Sequence, residues 1–193
     1  MRLFVAITPP ATALAEIDAS VAPLRPTRPE LTWSSPQSWH VTLAFLGEVD
    51  DAVVPQLALR LERAAGRHPR LELSTAGAGA FPTVPRARVL WIGVRGDSAV
   101  LRKMSGSVAA GAKKAGAPPP GERRRFRPHI TLARSRQPAD FRPLVTALAD
   151  YSGPVWTAER IHLIRSYLGS RPRYESLGDW PLRAPARQLG STE

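Results

Sequence analysis

Cysteine is absent from all 193 residues. Disulfide scaffolds, thiolate metal sites and Cys nucleophiles are therefore excluded. Lysine is almost missing as well. Lys103, Lys113 and Lys114 are the only three, so 24 of the 27 basic residues are arginine. Acidic residues number 16, which leaves a net charge of +11. No apolar run approaches the ~18 residues of a membrane-spanning helix. Met1 to Ile7 is too short for a secretory signal, and Pro9-Pro10 interrupts it. Nothing conflicts with a cytoplasmic protein. No Ser elbow is present for a Ser-His nucleophile. The Gly77-Ala78-Gly79-Ala80 segment lacks the lysine and spacing of a phosphate loop.

What remains is ordinary globular material, 43% apolar and 22% charged. The length suits one domain, or two small lobes sharing an interface, and is enough for a sizeable core. A strongly basic balance favours polyanions, nucleic acid foremost. A chain with 20 prolines and so much arginine also fits a plain compositional bias. The densest run, Glu122 to Arg127, lies in a proline- and glycine-broken stretch that reads as a mobile basic loop.

Strands and helices alternate along the chain. Arg2 to Thr8 reads as a strand, and Leu14, Ile17, Val21 and Leu24 mark a helix after Pro9-Pro10. Ser38 to Leu46 is a strand. Asp50-Asp51 caps a helix whose buried side would carry Val54, Leu57, Leu59 and Leu61. A strand over Leu71 to Ser74 runs into a loop over Gly77 to Pro85. A strand over Arg86 to Val94 precedes a helix from Asp97 or Ser98 to about Ala115. Arg127 to Ala133 is a strand and Ala139 to Ala149 a helix. Val155 to Leu168 and Arg173 to Asp179 are closing strands.

The second half repeats the first. His40-Val41-Thr42-Leu43-Ala44 returns 89 positions later as His129-Ile130-Thr131-Leu132-Ala133. Each copy follows a strand and a helix and precedes a turn, an acidic residue and another helix. Such repeats pack about a pseudo-two-fold axis, which would set the two His strands across a groove. The expected fold is α+β and bilobal, with two related lobes whose antiparallel sheets line a central cleft and helices outside. One such unit is expected over residues 1–182, with His strands at 38–46 and 127–133 and a flexible tail at 183–193. A doubly wound parallel sheet ranks second.

Strand alternation puts His40, Thr42 and Ala44 on one face, and Arg127, His129, Thr131 and Ala133 on the corresponding face of the other copy. Two imidazoles without a third ligand make a poor metal site. They suit concerted acid–base work at one phosphorus. A neutral ring takes a proton from the attacking oxygen while an imidazolium gives one to the leaving oxygen. Two hydroxyls can donate to the non-bridging oxygens. No metal or cofactor is needed. The rate should then rise and fall with pH around neutrality. His68 reads as a solvated turn residue, His162 as a packed sheet residue, and Trp33 as a weak stacking candidate.

The motifs His40 to Gly47 and Phe126 to Arg134 resemble the paired signatures of the two-histidine phosphoesterase superfamily. Within it the chain is similar to the LigT-type RNA 2′,3′-cyclic phosphodiesterases, also called 2′-5′ RNA ligases. Arg2 to Ile7, Ser166-Tyr167-Leu168 and Arg173-Tyr174 are similar to that branch as well. The resemblance implies hydrolysis of a terminal 2′,3′-cyclic phosphate to a 2′-phosphate, without metal or ATP, and a reversible ATP-independent 2′-5′ joining. It implies His40 as the acid toward the 3′ oxygen, His129 as the base on water, and Thr42 and Thr131 as phosphate-binding hydroxyls. The implied partner is RNA with a cyclic phosphate end, tRNA-like fragments among the candidates, bound by a monomer. The motif favours Arg134 as a substrate contact, whereas parity favours Arg127. Arg125 and Tyr167 complete the substrate-binding candidates. A small-nucleotide cyclic phosphodiesterase and a non-catalytic RNA-binding module are the competing readings.

Overall fold

The computed structural model describes residues 1–120, 126–169 and 173–184. Its elements are β1 (Arg2–Ile7), α1 (Ala11–Val21), β2 (Thr32–Trp33), β3 (Val41–Glu48), α2 (Val54–Ala65), β4 (Leu71–Phe81), β5 (Ala87–Gly96), α3 (Ser98–Lys114), β6 (His129–Ala139), α4 (Arg142–Ala147), β7 (Trp156–Ala158), β8 (Arg160–Tyr167) and β9 (Arg173–Pro181). They form two sheets, ordered β3-β1-β8-β9 and β2-β6-β5-β4-β7. Every strand pair is antiparallel. The fold is α+β, as expected, and the parallel doubly wound alternative falls.

Three strands of each half correspond, but not within closed units. β1 with β3 matches β5 with β6. The third strand of each half leaves for the other lobe: β4 pairs with β5, and β8 pairs with β1. Each sheet is thus completed by the opposite half, which interlocks the lobes.

β1 is buried along almost its whole length because both of its faces are covered. Leu3, Val5 and Ile7 enter the main core. Phe4 and Ala6 form a smaller cluster with Ile164, against which Tyr174 packs. Helices α2 and α3 pack on one another, α3 also on β3 and α2 on β8 and β9. The Ser105 hydroxyl of α3 donates to the Leu43 carbonyl at 2.6 Å, so α3 is pinned directly behind β3.

Several local expectations need correction. The strand from Leu71 continues to Phe81 instead of yielding to a loop at Gly77. Glycine belongs inside that strand because a Cβ at Gly79 would overlap the Trp91 indole. The buried side of α2 is Leu57, Leu61, Ala64 and Ala65, and Leu59 is exposed. Only the six residues of α4 are helical where the pattern suggests a span from Ala139 to Ala149. Pro36–Ser38 is a short 3-10 turn, so the first His strand begins after His40. Arg183 is not loose: its N–H donates to the His68 carbonyl at 2.8 Å, and its own carbonyl accepts from the Arg70 N–H at 3.1 Å. Residues 185–193 of the expected tail lie outside the described residues.

Candidate active site

The register of the two His strands decides which side chains share a face. In β6, Thr131 pairs with Trp91 and Ala133 with Leu90, so Leu132 is an extra residue. In β3, Thr42 pairs with Ala6 and Ala44 with Val5, so Leu43 is extra. One bulge at the same place in each copy shifts the alternation beyond it. Ala44 and Ala133, expected to face a ligand, are buried instead. Their places on the cleft face go to Phe45 and Arg134. Phe45 is paired with Phe4, which stacks on His40.

His40, Thr42, His129, Thr131 and Arg134 line one polar pocket of about 130 Å³, together with Ser34 and Ser38. Arg127 is exposed and does not line it. The bulge brings Arg134 onto the pocket face against simple parity, while Arg127 lies before β6 begins. Arg127 enters only through its backbone. Its carbonyl accepts from His129 Nδ1 at 2.6 Å. Ser38 does the same for His40 at 2.7 Å. A carbonyl can only accept, so each Nδ1 carries the hydrogen and each Nε2 is the nitrogen free for proton transfer.

Aromatic walls hold both rings. His40 stacks on Phe4 with centroids 4.6 Å apart and meets the edge of Tyr174 at 5.3 Å. His129 meets Phe81 at 5.1 Å and Trp91 at 5.9 Å. The wall around His129 is set by Gly79, whose missing side chain lets the Trp91 indole lie against β4. Burial in these walls disfavours the charged imidazoles. His40 is lowered from 6.5 to about 4, chiefly by desolvation, then by the charges of His129 and Arg134 against the favourable carbonyl bond. His129 is also lowered, chiefly by desolvation and further by Arg134. Burial thus favours the neutral form of both rings in the free protein.

Ser34 and Ser38 carry no signal in the sequence. They reach the pocket because Thr32–Trp33 adds β2 to the edge of β6, and the Ser34 N–H donates to the Leu132 carbonyl at 2.8 Å. The first half thereby laces onto the second lobe beside the site. Trp33 is spent on this crossing: its indole N–H donates to the Arg28 carbonyl at 3.2 Å. Tyr167 does not line the pocket. Its hydroxyl donates to Glu175, and the Arg165 and Arg173 guanidiniums lie over its ring at 4.6 and 4.3 Å. Arg125 lies outside the described residues. His68 is less solvated than expected, with Nε2 2.8 Å from the Ser107 hydroxyl. His162 is half-buried in β8 opposite Asp179. Among the described residues, no group of three or more His, Asp or Glu side chains comes together as a metal site.

Two interlocked lobes, each sending a His-x-Thr strand into one polar pocket, have the architecture of the two-histidine phosphoesterases. The profile of the 2′-5′ RNA ligase superfamily matches residues 10–169, and the chain belongs to that superfamily. A Thermus thermophilus protein named RNA 2′,3′-cyclic phosphodiesterase is 33% identical over 190 residues, covering 95% of this chain and 91% of that one. A relative of the same name from Geobacillus stearothermophilus is 31% identical over 155 residues, 80% of this chain but 48% of that protein's length. The Aeropyrum pernix protein of that name is 36% identical over 114 residues, 59% of this chain and 62% of that one. Among solved structures, Escherichia coli LigT in its apo form superposes with a TM-score of 0.72 at 28% identity, covering 94% of this chain and 97% of that one.

Proposed function

We propose that the protein hydrolyses RNA 2′,3′-cyclic phosphate ends to 2′-phosphates by metal-independent, two-histidine catalysis. The observation that carries this reading is the pairing of two Nδ1-anchored imidazoles with two threonine hydroxyls and one arginine in a single pocket. His129 Nε2 takes a proton from water, whose oxygen attacks the phosphorus. His40 Nε2, protonated, gives its proton to the departing 3′ oxygen. The Thr42 and Thr131 hydroxyls donate to the two non-bridging oxygens, and Arg134 balances their charge. With a ribose 5′-hydroxyl attacking in place of water, the same groups run the same step to a 2′-5′ linkage and a free 3′-hydroxyl, and the reverse step cleaves that linkage back to the cyclic phosphate. The assignment of acid and base follows the family resemblance, since the two sites are near-equivalent by symmetry.

Burial shapes the proton inventory. With His40 near 4, the free protein holds few imidazoliums at pH 7. An anionic cyclic phosphate between the rings offsets that desolvation and favours the charged ring. The pH dependence of kcat/KM, which reports the free enzyme, therefore lies on the acid side of neutrality instead of straddling it. The names of the relatives and the +11 charge support an RNA end over a small nucleotide. We further read the chain as one bilobal unit acting as a cytoplasmic monomer; no helix among the described residues is long and apolar enough to cross a membrane. The test is an oligoribonucleotide ending in a 2′,3′-cyclic phosphate, incubated with excess EDTA. A 2′-phosphate product supports the reading. A 3′-phosphate product, or loss of activity on chelation with recovery in Mg²⁺ or Zn²⁺, contradicts it.

A further inference from the structure

A second cationic feature lies on the opposite side of the first lobe. Arg60 and Arg63 of α2, Arg67 just after it, and Lys114 of α3 converge on a groove of about 190 Å³ between the two helices. Gly111 lies against the backbone of Arg60, and the small residues Ala64 and Ala110 also line the groove. The inward face of α3 is Leu101, Met104, Ser105, Val108 and Ala112, so this groove opens away from the catalytic cleft. The two sites share no residue.

Arg60, Arg63 and Arg67 follow helical spacing and form one stripe. Like charges at this spacing repel one another and disfavour the helix. Nothing nearby relieves the repulsion: none of the four cations forms an ion pair among the described residues. Arg60 Nε is buried without a hydrogen-bond partner. Beside the groove, Arg67, Arg183 and Lys103 all bear electrostatically on His68 and help lower it, after desolvation. A few arginines elsewhere are held in ion pairs, among them Arg25 with Asp18, Arg142 with Asp140 and Arg160 with Asp179. What sets the groove apart is that four such cations converge on one cavity.

We propose that this α2–α3 groove binds the sugar–phosphate backbone of RNA and anchors the body of a substrate whose end occupies the cleft. This rests on the function proposed above for the substrate class, while the groove's affinity is measurable without catalysis. The recognition is of phosphate charge and carries no base information. A substrate of two nucleotides in the cleft cannot also reach the far side of α3, but a long RNA can.

The experiment compares wild type with Arg60→Gln/Arg63→Gln/Arg67→Gln and with Arg25→Gln/Arg142→Gln/Arg160→Gln, which removes the same charge from ion-paired sites. Binding of a 20-nucleotide RNA with a 3′-hydroxyl end is followed by fluorescence anisotropy from 50 to 300 mM salt. Three lost phosphate contacts should lower the slope of log Kd against log salt by about 2 and weaken binding at least tenfold near 0.15 M. The ion-paired variant should stay close to wild type. The groove variant should keep wild-type kcat/KM on a dinucleotide ending in a cyclic phosphate, and its Tm should not fall. Equal losses in both variants, or unchanged RNA affinity in the groove variant, would overturn the proposal. Loss of polyglutamate binding with RNA affinity intact would reassign the groove to an acidic protein and also overturn it. If the groove dependence holds but the protein leaves cyclic phosphate ends untouched, the proposed activity fails and the groove stands.

Discussion

Replacing His40 by Gln should flatten the acid limb of the stability curve. His40 is about 4 in the folded protein against 6.5 when free in water, because Phe4, Tyr174 and the surrounding strand desolvate it. A depressed folded pKa means the unfolded chain binds the proton first as pH falls. The stability tied to neutral His40 is therefore complete above about pH 6.5. It is lost as pH drops toward 4. Each unit corresponds to about 1.4 kcal/mol, so the full interval amounts to about 3 kcal/mol. Glutamine has no charge to gain and removes this component together with its coupling to His129, whereas the carboxylates act alike in both proteins and cancel in the difference. Urea unfolding at half-unit steps from pH 7.5 to 4 reads the effect directly. The wild-type curve should fall more steeply than that of His40→Gln by a little over 1 kcal/mol per pH unit between 6.5 and 4. Inorganic phosphate should reduce that excess slope, because an anion in the pocket favours the protonated ring. Parallel curves in the absence of phosphate would refute the claim that His40 is held neutral by burial.

Three further outcomes follow from the same geometry. Arg134→Ala should lower kcat/KM for a cyclic phosphate by about 10²–10³, the usual cost of removing a donor to developing charge, while Arg127→Ala, which keeps the carbonyl that orients His129, should stay within a few-fold. Gly79→Ala should displace the Trp91 indole and with it one wall of His129, reducing kcat while far-ultraviolet circular dichroism stays native; unchanged kinetics would mean the wall does not position the ring. The bell of log kcat/KM against pH should have its midpoint below 6.5, since burial lowers both histidines, and a bell centred at or above 7 would contradict that.

Much of the site is legible in the sequence because its chemistry is local. His40 with Thr42 and His129 with Thr131 are near neighbours along the chain, and strand geometry alone puts each pair on one face. The duplication also carries the two-lobe expectation. What local pattern cannot show is register. The extra residues at Leu43 and Leu132 exist only relative to the partner strands β1 and β5, yet the second of them brings Arg134 into the pocket, while Arg127 lies before β6 begins. The first decides that Phe45, not Ala44, faces the cleft. The exchange of β4 and β8 between lobes is likewise a pairing choice, invisible in element order. Gly77 and Gly79 read as loop because local pattern shows neither the positive φ of Gly77 nor the Trp91 ring that makes glycine necessary at Gly79 inside β4. Ser34 is hidden because its arrival depends on a two-residue strand crossing to the other lobe.

The central claim is that His40 and His129 act on opposite sides of one phosphorus, the first as acid and the second as base. A cyclic phosphate analogue with sulfur in place of the bridging 3′ oxygen separates them, because a thiolate leaves without needing a proton. On the oxygen substrate, His40→Ala and His129→Ala should each lose about 10²–10⁴ in kcat. On the sulfur substrate, His40→Ala should recover to near the wild-type rate, while His129→Ala stays impaired because water still lacks its base. Recovery of both variants, of neither, or of His129→Ala alone would contradict the account.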